Sequence, residues 1–254
     1  MKKTIVLTVA SLLFLCFFTA VTCAQESKID VKNLNLKSGG QYFNSSMHQS
    51  GIKSGKSLGK IAEENSPLGK EALSLGFAAK SEESKFFIIG TLSSEIIAYL
   101  KSGNSELASK SLDALGKEFI ALSVPSSLYS FVTKTRTMVE TKKYSKEFME
   151  EIFSLFQPFF EDYAKSKSQD KLILFRSGSW LVDMSLTAAA GDTELLRQTG
   201  TLNYFIKEMQ RMDAPKGVME ALDGIRKIAE KKELTDKDAD KVLSLVKKIQ
   251  TILG

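Results

Sequence analysis

Gly103-Asn104-Ser105-Glu106-Leu107 is followed 88 residues later by Gly191-Asp192-Thr193-Glu194-Leu195: glycine, capping residue, hydroxyl, acid and leucine in the same order. Further on, residues 140–157 (ETKKYSKEFMEEIFSLFQ) return ninety positions later as 230–247 (EKKELTDKDADKVLSLVK). In each, a Ser or Thr stands just ahead of an apolar stripe at helical spacing, the signature of a helix start. Glycine suits the left-handed position after a helix end, and Asn or Asp suits the cap of the next one. Matching cap chemistry at matching offsets predicts one helical unit, duplicated and fused in a single chain. The offset is about 88 residues through the first two helices of each unit and about 90 beyond, so a two-residue insertion is expected near Asp213-Ala214.

Outward from these turns, the first unit reads as four helices. They run from Ser81 to about Lys101, from Asn104 to Pro125, over about 127–142, and from Ser145 to about Ala164 with a kink at Pro158. The second reads as 169–190, 193–212, 216–231 and 236–253, with Thr235 and Asp238 spaced as a capping box. A short helix over 68–80, opened by Ser66-Pro67, precedes them. The fold class is therefore all-α, with eight main helices as two tandem four-helix units (66–165 and 166–254) in one globule about a pseudo-twofold axis. Phe86–Leu100 and Leu172–Ala190 are the most uniformly apolar helices and equivalent in the repeat, so both are expected at the centre.

Residues 1–24 read as a secretory signal: Lys2 and Lys3, an apolar run from Ile5 to Val21, then Thr22-Cys23-Ala24 before a cut at Gln25. Its very short basic region favours a bacterial export signal, with the periplasm the expected destination. Cys23 also admits a lipoprotein reading, but Ala20 and Thr22 match the pattern before a lipidated cysteine poorly; only that modification would attach the protein to a membrane. Residues 25–65, rich in Ser, Gly and Lys, read as a flexible arm.

Cys16 and Cys23 are the two cysteines, so the processed chain is expected to hold no disulfide. Loss of Lys2 and Lys3 takes the formal charge from +5 to +3, with 33 basic against 30 acidic residues. That small excess, evenly spread, gives no basis for binding nucleic acid. His48, the single histidine, falls in the arm, so zinc, haem and iron–sulfur sites lack their usual ligands, a nucleophile–histidine pair has no base on the folded part, and no cofactor is expected. Gly51–Ser57 is one residue short of a phosphate loop, and Asp236, Asp238 and Asp240 lack the glycine and glutamate of a calcium loop.

Two groups remain as candidate ligand-binding sites. Glu95 and Asp183 hold equivalent places in the two apolar helices, each four residues after a hydroxyl (Thr91, Ser179), and Arg176 could extend that polar stripe. Phe153, Phe156, Phe159 and Phe160 form an aromatic stripe at helical spacing, facing either a core, an apolar pocket or a docking surface. The sequence thus reads as an exported, non-enzymatic helical protein that binds a protein partner or an apolar small molecule. The alternatives are a carboxylate-dependent enzyme acting on cell-wall glycan, which needs two carboxyls about 5–9.5 Å apart in an open cleft, and a membrane-tethered lipoprotein.

Overall fold

The computed structural model describes residues 81–254 except 143, 144 and 194. The expected signal segment, arm, helix start at Ser66-Pro67 and helix over 68–80 lie outside the described residues, as do Cys23 and His48. Eight helices and no strand occur among the described residues: α1 Glu82–Lys101, α2 Ser105–Ala121, α3 Ser126–Thr141, α4 Lys146–Lys167, α5 Gln169–Ala189, α6 Thr199–Arg211, α7 Lys216–Ala229 and α8 Asp236–Leu253.

Most helices start and stop where their caps dictate. Ser81, Asn104, Ser145 and Ser168 each accept a backbone N–H at the start of α1, α2, α4 and α5, which satisfies donors that a helix leaves unpaired. Thr235 and Asp238 form the full capping box at α8. α4 continues through Pro158 to Lys167, about a turn beyond the expected end.

Turns that lie 88 to 90 residues apart have the same geometry. Gly103 and Gly191, 88 positions apart, take φ +75° and +70°. Ser123 and Asp213, ninety apart, take φ 50° and 54°, and Pro125 and Pro215 open α3 and α7 with the same φ of −52°. The backbone hydrogen bonds around each pair of turns also correspond, as in Asn104 N to Tyr99 O and Asp192 N to Thr187 O.

α6 departs from expectation. It begins at Thr199 rather than at Thr193, although Asp192 Oδ1 accepts the Leu195 N–H at 3.2 Å as a cap would. The reason is tertiary. Trp180 Nε1 donates to Gln198 Oε1 at 3.0 Å, Leu196 is buried, and Arg197 reaches Ala229 O at the end of α7 (3.3 Å) and Lys232 O in the turn beyond it (2.9 Å). These partners hold residues 195–198 out of helical register. Buried Leu112, Leu115 and Phe119 already correspond to Leu202, Phe205 and Met209 at an offset of ninety. The offset of ninety is therefore already in place at Leu202, ahead of Asp213-Ala214.

α1 and α5 make the most extensive helix contact. Phe86–Leu100 is buried without a break, and in Leu172–Ala188 only Arg176 is partly exposed. Contacts advance in step along the pair: Lys171 Nζ bonds the Glu82 carboxylate near both starts, and Ser94 meets Asp183 further on. The two helices therefore run in the same direction. At their crossing the backbones touch. A methyl group on Gly90 would lie 1.9 Å from the Phe175 carbonyl oxygen, and one on Gly178 would lie 2.1 Å from that of Phe87. The contact is reciprocal, since Gly178 and Phe175 follow Gly90 and Phe87 by the same 88 residues.

Backbone against backbone cannot yield as a flexible side chain can, so an added methyl must push α1 from α5. Gly90→Ala and Gly178→Ala are each expected to cost about 3 kcal/mol or more in urea unfolding, at the upper end of overpacking penalties. Gly116→Ala, where a methyl would only touch Tyr129 Cε2 at 3.9 Å, should be neutral or slightly stabilising. A cost at Gly90 or Gly178 no larger than that at Gly116 would show that the close crossing is absent.

Candidate functional site

One turn beyond the glycine crossing, polar side chains from three helices meet in the interior. Gln157 Nε2 on α4 donates to Ser179 Oγ on α5 at 2.6 Å. Ser179 and Ser94 hydroxyls lie 2.9 Å apart, and Ser94 on α1 donates to Asp183 Oδ1 at 3.2 Å. While the carboxyl accepts from Ser94, one proton per hydroxyl orders the donors: amide to Ser179, Ser179 to Ser94, Ser94 to carboxyl. Ser94, Gln157 and Asp183 are all 0 % exposed.

Two acceptors are left over in this network. Asp183 Oδ2 and Gln157 Oε1 are buried with no hydrogen-bond partner. Burial pushes the Asp183 carboxyl well above the ordinary aspartate range. The Ser94 hydrogen bond and the field of Lys101 pull the other way without offsetting it. Lys101, at the end of α1, is itself lowered by burial, against the pull of Asp183. The arrangement favours a neutral carboxylic acid enclosed by hydroxyls and an amide.

The sequence-derived candidates divide. Glu95 is buried on α1, but the hydroxyl that meets Asp183 is that of its neighbour Ser94. Thr91 does not take part: its hydroxyl returns to Phe87 O on its own helix at 3.1 Å. Arg176 does not extend the stripe either. It donates to Glu161 Oε2 on α4 at 3.0 Å, and although burial disfavours its charge, Glu161 and Tyr204 hold the guanidinium above its usual range. Three residues missed in the sequence matter here: Ser94, Gln157 and Lys101. Gln157 was visible as a polar residue one helical turn from Phe153 and Phe160.

The aromatic stripe also splits. Phe156 and Phe160 are core residues, edge-on to each other with ring centroids 4.7 Å apart, and Phe119 packs edge-on to Phe160 at 5.1 Å. Both are at most 1 % exposed, which leaves no water-sized space against them. Phe159 instead is 46 % exposed and stacks on Phe131 of α3, centroids 5.5 Å apart. Phe131 also leans on Phe156, so it links the surface ring to the core. The side chain of Phe153 is outside the described residues.

Among the described residues no cluster of three or more histidine, cysteine or acidic side chains could hold a metal ion, and no helix is long and apolar enough to cross a membrane. Comparison with family models, with curated proteins and with solved structures gives no match to this chain.

The network predicts an asymmetry between two deletions. Ser179→Ala removes the acceptor of the Gln157 amide and the partner of Ser94 together, and should cost about 1–3 kcal/mol in urea unfolding. Thr133→Ala, which removes an exposed hydroxyl that bonds only to its own helix at Tyr129 O, should change stability by less than about 0.5 kcal/mol. Equal costs would mean that the buried network contributes nothing.

Proposed function

We propose that this chain is an exported, non-enzymatic helical protein that binds a protein partner through the aromatic face formed by Phe131 and Phe159. The observation that carries the reading is Phe159. In a stripe whose Phe156 and Phe160 are fully enclosed, it stays nearly half exposed on a firmly seated neighbour ring. An aromatic that is exposed yet held in one place is a suitable anchor for a partner's apolar pocket. A carrier of apolar small molecules would instead need open space against Phe156 and Phe160, which are closed in. The carboxylate-enzyme alternative needs an open cleft, and burial of Glu95 and Asp183 weighs against it.

We further propose that the two halves are copies of one four-helix unit, related by a pseudo-twofold axis between α1 and α5. The reciprocal glycine contact and the paired turns support this. A self-complementary contact, in which residue i meets j and j meets i, is what a twofold imposes. The binding face lies in one copy alone: Phe131 and Phe159 correspond to Ala221 and Ile249, both of which are buried.

A photo-crosslinking phenylalanine analogue at position 159 tests the binding face in the native host. One discrete adduct is expected, competed by unlabelled wild-type protein and not by Phe159→Asp. Labelling no more specific than at exposed Lys248, or equal competition by Phe159→Asp, would sink the proposal. With the purified partner, Phe159→Ala should weaken binding about thirtyfold, the size of a central hot spot.

Export has its own test in the intact mass of the mature protein. Cleavage after Ala24 predicts an N-terminus at Gln25, free or cyclised to pyroglutamate. A retained Met1 would remove the export reading, and a diacylglyceryl Cys23 would replace it with a lipid-tethered one.

A further inference from the structure

Asp183 differs in kind from the other buried acids whose partners are defined. Asp192 accepts the Leu195 N–H, and Asp238 is held by Thr235 and by Lys231 Nζ at 2.5 Å. Glu118 is also raised by burial against a lysine field, that of Lys85, but at 9 % exposure it is less enclosed than Asp183. Asp183 has one hydroxyl on Oδ1 and nothing on Oδ2, fully buried in the α1–α5 seam. The directed hydrogen-bond chain ends on Oδ1, so no donor in it can turn to a charge on Oδ2.

We propose that Asp183 is the proton-binding element of a pH latch. With its proton, α1, α4 and α5 close on one another; without it, the seam must loosen or admit water. Its neighbours leave little alternative. From α1 come Ser94, buried Glu95 and, at the helix end, Lys101, whose positive field does not offset burial. From α4 comes the neutral Gln157, while Glu161 of that helix is engaged by Arg176. α8, also packed on α5, buries Ala239, Val242, Val246, Ile249 and Gln250, and its one buried charge, Asp238, belongs to the capping box. Gly90 and Gly178 hold the two backbones in contact about a turn away, so charge on Asp183 is accommodated by loosening of this seam or by entry of water.

The sign follows from linkage. Asp183 binds its proton more tightly folded than unfolded, so its contribution is fully present below the ordinary aspartate value of 3.8. It is lost as pH rises from there through the raised folded value. Within that window the unfolding equilibrium rises up to tenfold per pH unit, the limit for one proton. This device stands whether or not the Phe159 face binds a partner.

The test compares wild type with Asp183→Asn, which keeps the shape and removes the titration. Urea unfolding and amide exchange, corrected for intrinsic rates, are followed from pH 4 to 9. In wild type, protection along Ile88–Tyr99 and Leu174–Leu186 should fall as pH rises, and the variant should lose most of that dependence. The same pH dependence in both proteins would overturn the latch. If the variant does not fold, carbon-13 NMR of aspartate carboxyls in wild type decides the matter. One carboxyl titrating far above the others and absent from the acidic group supports the proposal, and all carboxyls titrating together overturn it.

Discussion

Contact between the α1 and α5 backbones at Gly90 and Gly178 is the constraint on which the rest of the structure depends. With a methyl brought within about 2 Å of a carbonyl oxygen, no residue but glycine fits at either place. Such close approach lets the helices share most of their length, and it explains why both are buried all round. A helix enclosed on every side cannot send its polar groups to solvent. Every hydroxyl and carboxyl on α1 and α5 must therefore find its partner inside, and the character of the interior follows from how they do so.

Two solutions are used. Thr91, Ser93 and Ser177 turn back to carbonyls of their own helix, which satisfies the hydroxyl without involving a neighbour. Ser94 and Ser179 reach across instead, and with Gln157 and Asp183 they tie three helices together. The first solution is local and indifferent to packing. The second has stringent geometry, because a member left without its partner inside the protein loses about 1–3 kcal/mol of solvation. A neutral Asp183 is the least costly state this network allows, since an ionised one would place charge on an oxygen that receives no hydrogen bond.

Features set by a few adjacent residues were legible in the sequence. Gly103, Asn104, Ser145 and the Thr235–Asp238 box act within one helical turn, and each does in the structure what its chemistry implies. The start of α6 was not legible, although Gly191-Asp192-Thr193 has the same local chemistry as Gly103-Asn104-Ser105. There Trp180, from the preceding helix, and the end of α7 compete for residues 197 and 198 and win. The glycine crossing was hidden for a similar reason: a lone glycine in an apolar helix carries no mark of what approaches it. Periodicity grouped Phe156, Phe159 and Phe160 correctly on one helix but could not say that Phe159 turns outward. Arg176 shared a helix with Asp183, yet its position allowed a reach to Glu161, and opposite charge at hydrogen-bond distance decided its partner.

On the proposed duplication, the copies keep hydroxyl and acid at Thr91/Ser179 and Glu95/Asp183 but differ at the other two members of the network. Ser94 corresponds to Val182, and Gln157 corresponds to Lys247. A twofold-symmetric version would need hydroxyl, amide and acid twice, in a space that the glycine contact keeps narrow. Thr91 and Glu95, the counterparts of Ser179 and Asp183, are enclosed as well, but Thr91 turns back to its own helix, so the chain across the helices is built once. The binding face proposed at Phe131 and Phe159 lies in the first copy, whose α4 also supplies Gln157 to the network. On that proposal the distinctive chemistry gathers about α4, while α8 fills the corresponding place with Val242, Val246 and Ile249. An apolar helix there closes the core without further polar partners, which leaves α4 as the helix through which seam and surface are connected.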